Sequence, residues 1–289
     1  MRLRKSLYGT PHAPANWHGT IVDFVITTGL KPLKSDPCLY IYNPTTKNGP
    51  TFATRNKGMV ILTMHVDNRL PLGQNKVLLK HLGGKLVRRL GTMCMGDVLM
   101  VLGMQVARDR KKGTLTISQA HYSKSVREMY GMGECKPMYM IGVGPELSMN
   151  QGEGNLLTKA DTQWYQSIVG VVMYLAHVSR YDILYGVHQL ARAMSNPSKA
   201  HMRASKNVLR YFACAIDFVI TYKKRGFKLT AFSDANWGNN PDNGKSTSSY
   251  VMMMRNGPVS FKVGRQGLTS QSAMEAELVA AALAIKEAI

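Results

Sequence analysis

The stretch VILTMHVDNRL runs from Val60 to Leu70. Aliphatic and β-branched residues dominate up to Met64, His65-Val66-Asp67-Asn68 interrupts them, and Arg69 turns the chain basic. The run reads as a buried strand, and Asp-Asn reads as the turn at its end. A carboxylate held at a strand tip is either a turn former or a metal ligand, and the residues alone leave both readings of Asp67 open. Asn68 offers a carbonyl oxygen but no charge, at a place where a second acid would help neutralise a pair of divalent cations.

Working outward, SDPCLYIYN (Ser35–Asn43) reads as a strand entered through an Asp-Pro turn. FATRNKGMVILTMHVD reads as two strands around a turn at Asn56-Lys57-Gly58, with Asp67 at a hairpin of a mainly antiparallel sheet. Upstream, SLYGTPHAPANW (Ser6–Trp17) is a turn-rich loop leading into a helix from about Trp17 to Gly29. Downstream, LMVLGMQVARD and GTLTISQ form a hairpin through Arg110-Lys111-Lys112, and a helix follows from His121 to Tyr130. Residues 134–160 lack periodicity and read as a linker. Three helical patterns then precede three strands and a last helix, SQSAMEAELVAAALAIKEAI.

Lys and Arg total 37 against 17 Asp and Glu, a formal charge of +20. That excess points to a polyanionic partner, nucleic acid before membrane. From Ala231 onward five Lys or Arg balance five Asp or Glu, so the positive charge resides in residues 1–230 and a boundary falls near Lys223-Lys224-Arg225-Gly226. Cys38, Cys94, Cys135 and Cys214 are far apart and read as free thiols in a reducing compartment. The basic N-terminus lacks the apolar core of a signal peptide, and no apolar run has membrane-spanning length, so cytosol or nucleus is expected.

Lys199, Arg203, Lys206 and Arg210 recur at spacings of 4, 3 and 4 within SKAHMRASKNVLRYFACA. On a helix they share one face, opposite Val208, Leu209 and Phe212. A solvated face is one reading. Mutual repulsion without an interleaved acid weakens that reading and leaves contact with a phosphate backbone open beside it. In the tail, Asp234 ends a strand and Glu277 lies on the last helix. Together they are either a turn cap and a helix-start acid, or the beginning of a metal-dependent nuclease site.

Taken in order, these motifs resemble the reverse transcriptase–RNase H part of a copia-type LTR retrotransposon polyprotein. KSLYGTPHAPANW is similar to the family's KSLYGLKQAPRAW loop, SDPCLY matches outright, and MHVDN stands where the family has YVDD. LMVLGMQVARD, CKPM, YQSIVGVVMYLAHVSRYDI and NPSKAHMRASKNVLRYF resemble the segments that follow. FSDANWGNNPDNGKSTSSYV and SAMEAELVAA resemble the opening of the RNase H domain.

The resemblance implies an α+β chain in three parts. Residues 1–133 would be partial fingers and palm, 134–226 a linker with a helical thumb and connection, and 227–289 the first half of an RNase H-like sheet with one helix. It implies Asp67, Asp234 and Glu277 as ligands of Mg²⁺ or Mn²⁺, with RNA–DNA hybrid or duplex and the rest of the polyprotein as partners. Asn68 replaces the second Asp of the signature, His65 its Tyr, and in the loop His12 replaces a Gln and Pro11 a Lys. An upstream polymerase acid and a third RNase H acid have no counterpart in this sequence, so both sites are expected to be short of ligands. The readings are therefore a catalytically impaired polymerase and nuclease, a non-catalytic nucleic-acid-binding remnant, or a remnant that does not fold stably.

Overall fold

The computed structural model describes residues 6, 9–42, 58–66, 68–91, 93–141, 147–150, 152–224 and 226–289. Every strand pairing among them is antiparallel, and the fold is α+β. The chain forms two compact units, Met1–Gly96 and Asp97–Ile289. No helix among the described residues is long and apolar enough to cross a membrane.

In the first unit, helix α1 (Ala13–Thr27) precedes strands β1 (Lys31–Pro32), β2 (Leu39–Tyr42), β3 (Val60–His65) and β4 (Asn68–Gly73), which form one sheet in that order. Helix α2 (Lys76–Leu90) follows. Val60, Leu62 and Met64 alternate inward along β3 and meet Ile21 and Val25 of α1 and Leu78, Leu82 and Leu86 of α2. Asn75 starts α2 by accepting hydrogen bonds from the N–H groups of Val77 and Leu78 at 2.9 and 3.2 Å. Gly91, at φ 64°, ends it in the left-handed conformation that favours glycine.

Strand β4 is the second strand of the hairpin expected at Asp67, although its residues were not assigned, and α2 was not expected from the sequence. Pro71 disguises β4, and it is tolerated because β4 lies at the edge of the sheet. Gly83-Gly84 interrupts the helical pattern of α2. The strand expected ahead of Asn56, and Asn56 and Lys57 of its turn, lie outside the described residues.

The second unit opens with β5 (Met100–Val101), β6 (Met104–Asp109), β7 (Thr114–Ser118) and α3 (Ala120–Met129). Helices α4 (Lys159–Val178), α5 (Leu184–Arg192) and α6 (Lys199–Cys214) build the main core, where Tyr165, Ile168, Val172, Leu190, Leu209 and Phe212 are fully buried. Strand β8 (Ile220–Lys223) then returns to pair with β7, with Thr114 opposite Lys223 and Ile117 opposite Ile220. Strands β9 (Thr230–Asn236), β10 (Thr247–Met254) and β11 (Gly257–Arg265) form a separate sheet in the order β11-β10-β9. Helix α7 (Ala273–Ala288) lies against it through Ala276, Ala280 and Ala284. A Cβ on Gly257 would stand 2.6 Å from Cε1 of Tyr222, so only glycine admits this close approach of β11 to β8.

One buried and one half-buried charge order this unit. Arg180 is only 2% exposed. Its guanidinium donates to Asp182 through Nε at 3.0 Å and Nη2 at 2.8 Å, and lies over the rings of Tyr211, Phe212 and Phe218. The second lock joins α5 to the loop between β9 and β10. Asp242 accepts from Arg192 Nη2 at 2.8 Å, from Ser148 Oγ at 2.5 Å and from the N–H of Met149 at 3.0 Å. Burial pushes the Asp242 carboxyl up, but the bonds from Ser148 and Met149 and the Arg192 cation outweigh it and hold the group below its ordinary value of 3.8.

A depressed folded pKa means that the ionised form stabilises the fold above the unfolded value and that this stability is lost as pH falls through the folded value. Asp242→Asn is therefore expected to lower the urea midpoint at neutral pH. The gap between variant and parent should close on acidification below about 3.9. Equilibrium unfolding of both proteins across that range checks this.

Candidate nucleic-acid interface and acidic positions

Helix α6 is capped by Ser198, whose N–H donates to His201 Nδ1 at 3.1 Å while its hydroxyl faces the His201 N–H. Val208, Leu209 and Phe212 are buried on its inner face. Lys199, Arg203 and Lys206 are exposed on the other face and Arg210 is half-buried, so the four cations do share the side away from the core. They differ in what they do. Lys199 Nζ donates to the Gly154 carbonyl at 3.4 Å, and Arg210 Nε donates to the Lys136 carbonyl at 2.9 Å. Arg210 thereby holds the segment after α3 against α6, helped by its own carbonyl, which accepts from the Met138 N–H at 3.3 Å. Arg203 and Lys206 have no partner among the described residues and are free to meet an anion.

A second cationic helix escaped the sequence reading. Helix α2 carries Lys76, Lys80, Lys85, Arg88 and Arg89 and no acid. Lys76, Lys80, Arg88 and Arg89 are exposed. Burial, then the nearby Lys85 and Arg88 charges, lower the pKa of His81 and keep it neutral among them. A count of charges over residues 76–89 was the available signal.

The acidic positions are dispersed. Asp67 lies outside the described residues. Around it, His65 pairs with Asn68 across the β3–β4 hairpin, both are exposed, and Val66 adopts φ 51°. His12 directly precedes α1 without a side-chain cap, and Pro11 beside it is exposed. Asp234 is exposed on β9, in register with Ser249 of β10, which is in register with Val263 of β11. Val263 packs against the helical core, whereas Tyr250, one residue on from Ser249, packs with Ala284 of α7. Alternation therefore turns Asp234 to the sheet face away from α7. The neighbouring Asn236 and Asn239 amides on that side donate to the Tyr185 hydroxyl of α5 at 3.5 and 2.9 Å.

Glu277 is exposed on α7, and no hydrogen bond or ion pair joins it to Asp234. Glu275 is engaged locally, accepting from the Gln271 N–H at 2.7 Å while its own N–H donates to Ser272 Oγ at 3.1 Å. Among the described residues no three His, Cys, Asp or Glu side chains converge on one point.

The chain is an α+β protein of antiparallel sheets with two acid-free cationic helices, and comparison with known proteins gives the family. Residues 1–143 match the family described as Reverse transcriptase (RNA-dependent DNA polymerase). The chain is 30% identical, over 100% of its length, to the Retrovirus-related Pol polyprotein from transposon TNT 1-94 of Nicotiana tabacum, and covers 21% of that protein. It is 31% and 30% identical to the corresponding polyproteins from transposons RE2 and RE1 of Arabidopsis thaliana, over 96% of the chain and 18% of each relative. The chain thus spans about a fifth of these relatives' length. No solved structure matches. The chain belongs to the reverse transcriptase family of copia-type retrotransposon Pol polyproteins.

The division of labour on α6 is testable by substitution. Arg210→Ala removes a charge-assisted hydrogen bond to a backbone carbonyl and should cost about 1 kcal/mol of stability. Arg203→Ala and Lys206→Ala should change it by less than about 0.5 kcal/mol, as for surface sites generally. Thermal or urea unfolding of the three variants distinguishes the clamp from the free cations.

Proposed function

We propose that this chain is a nucleic-acid-gripping part of a retrotransposon reverse transcriptase whose polymerase chemistry is weak or lost. The observation that carries the reading is the outer face of α6, where Arg203 and Lys206 stand exposed, without partners among the described residues, on a helix that has no acid. Cations so placed exchange the counterions of a phosphate backbone for direct contact, which makes binding strong at low salt and weak at high salt. On this reading Lys199 and Arg210 fix the flanking segments while the other two contact the strand. Helix α2 adds a second cationic surface of the same kind. RNA–DNA hybrid or duplex is the ligand.

The same reading divides the chain into partial fingers and palm (1–133), a linker with helical thumb and connection (134–226) and the N-terminal half of an RNase H-like domain (227–289). In support of the last, a strand acid, an antiparallel three-stranded sheet and a helix with an early acid occur in that order in 227–289. Reverse transcriptases use divalent metal ions, and Asp67, Asp234 and Glu277 are the acids that family likeness would assign to them. The described donors do not fit such a site, because Asp234 faces away from the helix that bears Glu277 and no three candidate ligands converge. Asn68 supplies an uncharged carbonyl where the signature has its second acid. Two-metal chemistry requires both cations to be held in place, and the loss of one carboxylate charge weakens that hold.

Binding to a fluorescent RNA–DNA hybrid, titrated over a range of salt, tests the main reading. The affinity should fall steeply with salt. Replacing Arg203 and Lys206 together by Ala should reduce the log–log slope by about 1.8, at about 0.9 per phosphate contact. A flat salt response overturns the reading. For the chemistry, a primer–template extension assay in Mg²⁺ and in Mn²⁺ should show no product above background, and efficient copying by the chain would refute the proposed impairment.

A further inference from the structure

Helix α2 carries three features that oppose its own formation. Lys76 opens it at the positive end of the helix dipole, where an acid is favoured and a cation is not. Lys80 follows four residues on, a like-charge neighbour on the same face, and no acid occurs anywhere between Asp67 and Asp97 to relieve the repulsion. Gly84 lies in the interior, where glycine is a poorer helix former than alanine. A Cβ at Gly84 would meet nothing within 4 Å, and its φ is not positive, so neither packing nor backbone conformation calls for glycine there.

These residues form one ridge. Lys76, Lys80, Gly84 and Arg88 succeed one another at steps of four, a row along the helix surface, while Leu78, Leu82 and Leu86 are buried on the other side. The three cations of the row are exposed. Each step advances about 6 Å along the axis, so Lys80 and Arg88 stand about 12 Å apart with the gap at Gly84 between them. Arg88 Nε donates to the Gly84 carbonyl at 3.2 Å, which steadies the guanidinium and leaves both Nη groups for an anion. Lys76 and Lys80 have no partner among the described residues.

Cations on either side of a bare stretch of backbone fit two phosphate strands with a groove between them. A deep groove calls for long side chains between the cations, and here there is none. The minor groove of an A-form duplex is wide and shallow and displays 2′-hydroxyls, so a flat helix surface can lie across it. An RNA–DNA hybrid offers that geometry. With no side chain at 84 to reach a base edge, the contact follows the shape of the duplex and not its sequence. An acidic protein surface would satisfy the charges but would leave the gap at Gly84 without a purpose. We propose that the outer ridge of α2 straddles the minor groove of an A-form duplex, with Lys76 and Lys80 on one strand and Arg88 on the other, and thereby selects RNA-containing duplex over B-form DNA. This rests on the reading of the chain as a nucleic-acid grip and adds to it which duplex is preferred and which residues prefer it.

The test is binding of the full 289-residue chain to an RNA–DNA hybrid and to a B-form DNA duplex of the same sequence, each titrated with salt. The parent should prefer the hybrid. Gly84→Leu places a better helix former at an open position, so it should keep the far-UV circular dichroism and the urea midpoint while losing the preference. Lys80→Gln combined with Arg88→Gln should reduce the log–log salt slope on the hybrid by about 1.8, at about 0.9 per phosphate contact. Should Gly84→Leu misfold, this double variant decides through its slope and its preference. A parent with no preference for the hybrid, a folded Gly84→Leu that retains the preference, or a double variant with the slope of the parent would each overturn the proposal. If the α2 variants bind as the parent does while Arg203→Ala with Lys206→Ala still lowers the slope, the grip by α6 stands and the α2 site alone is refuted.

Discussion

A guanidinium buried in an apolar helical core is the constraint on which the second unit depends. An unpaired ion in such a place costs several kcal/mol, so Arg180 is compatible with folding only while its partners stay in place. Those partners come from different elements. Asp182 lies in the turn between α4 and α5, and the rings of Tyr211 and Phe212 belong to α6, with Phe218 just beyond it. The Tyr211 hydroxyl donates to the same Asp182 carboxylate at 3.0 Å, which closes the network. Arg180 therefore specifies one relation among three helices, where aliphatic packing alone would tolerate several. The orientation of α6 follows from this, and with it the direction in which Arg203 and Lys206 point.

The same helix shows how one charge pattern serves two purposes. Lys199 and Arg210, at its two ends, reach carbonyls of the long segment between α3 and α4. That segment has little regular structure, so its backbone groups need partners from elsewhere. Long basic side chains can meet that need because their stems lie along the surface while their heads search for acceptors. The central two cations have no such task. Four like charges on one face are thus partly neutralised by hydrogen bonding at the ends, and the repulsive cost of the stripe is concentrated on the pair left for solution.

What could be read from the sequence followed local periodicity. The α6 stripe, the β6–β7 hairpin around Arg110-Lys111-Lys112 and the helix beginning near Ser272 all emerged from patterns within a few residues. Strand β8 did not, because Ile220–Lys223 becomes a strand only by pairing with residues 114–117, a hundred positions earlier. A hairpin at Asp67 was expected, but the extent of its second strand was obscured by Pro71, which only an edge position accommodates, and α2 was hidden by its paired glycines. For the acids, the sequence indicated which element each belongs to but not which way it turns. The facing of Asp234 is set by its register with Ser249 and Val263, a tertiary fact.

The β3–β4 hairpin shows why a change of chemistry at the signature leaves the fold untouched. Strand β3 is held on both sides, by β2 and by β4, and Leu62 and Met64 are buried beneath it. The chain then reverses between His65 and Asn68, which are paired across the hairpin. Val66 accepts φ 51° there, although a branched Cβ disfavours the left-handed region by about 1–3 kcal/mol. Local preference yields because the strands on either side over-determine the turn. Asn68 begins β4 through its backbone, and its exposed side chain takes no part in the core. An acid at that position would leave the same hairpin and add one negative charge beside Asp67. The scaffold is insensitive to that charge and a pair of metal ions would not be, so the hairpin's fold and the chemistry at its tip are set by different residues.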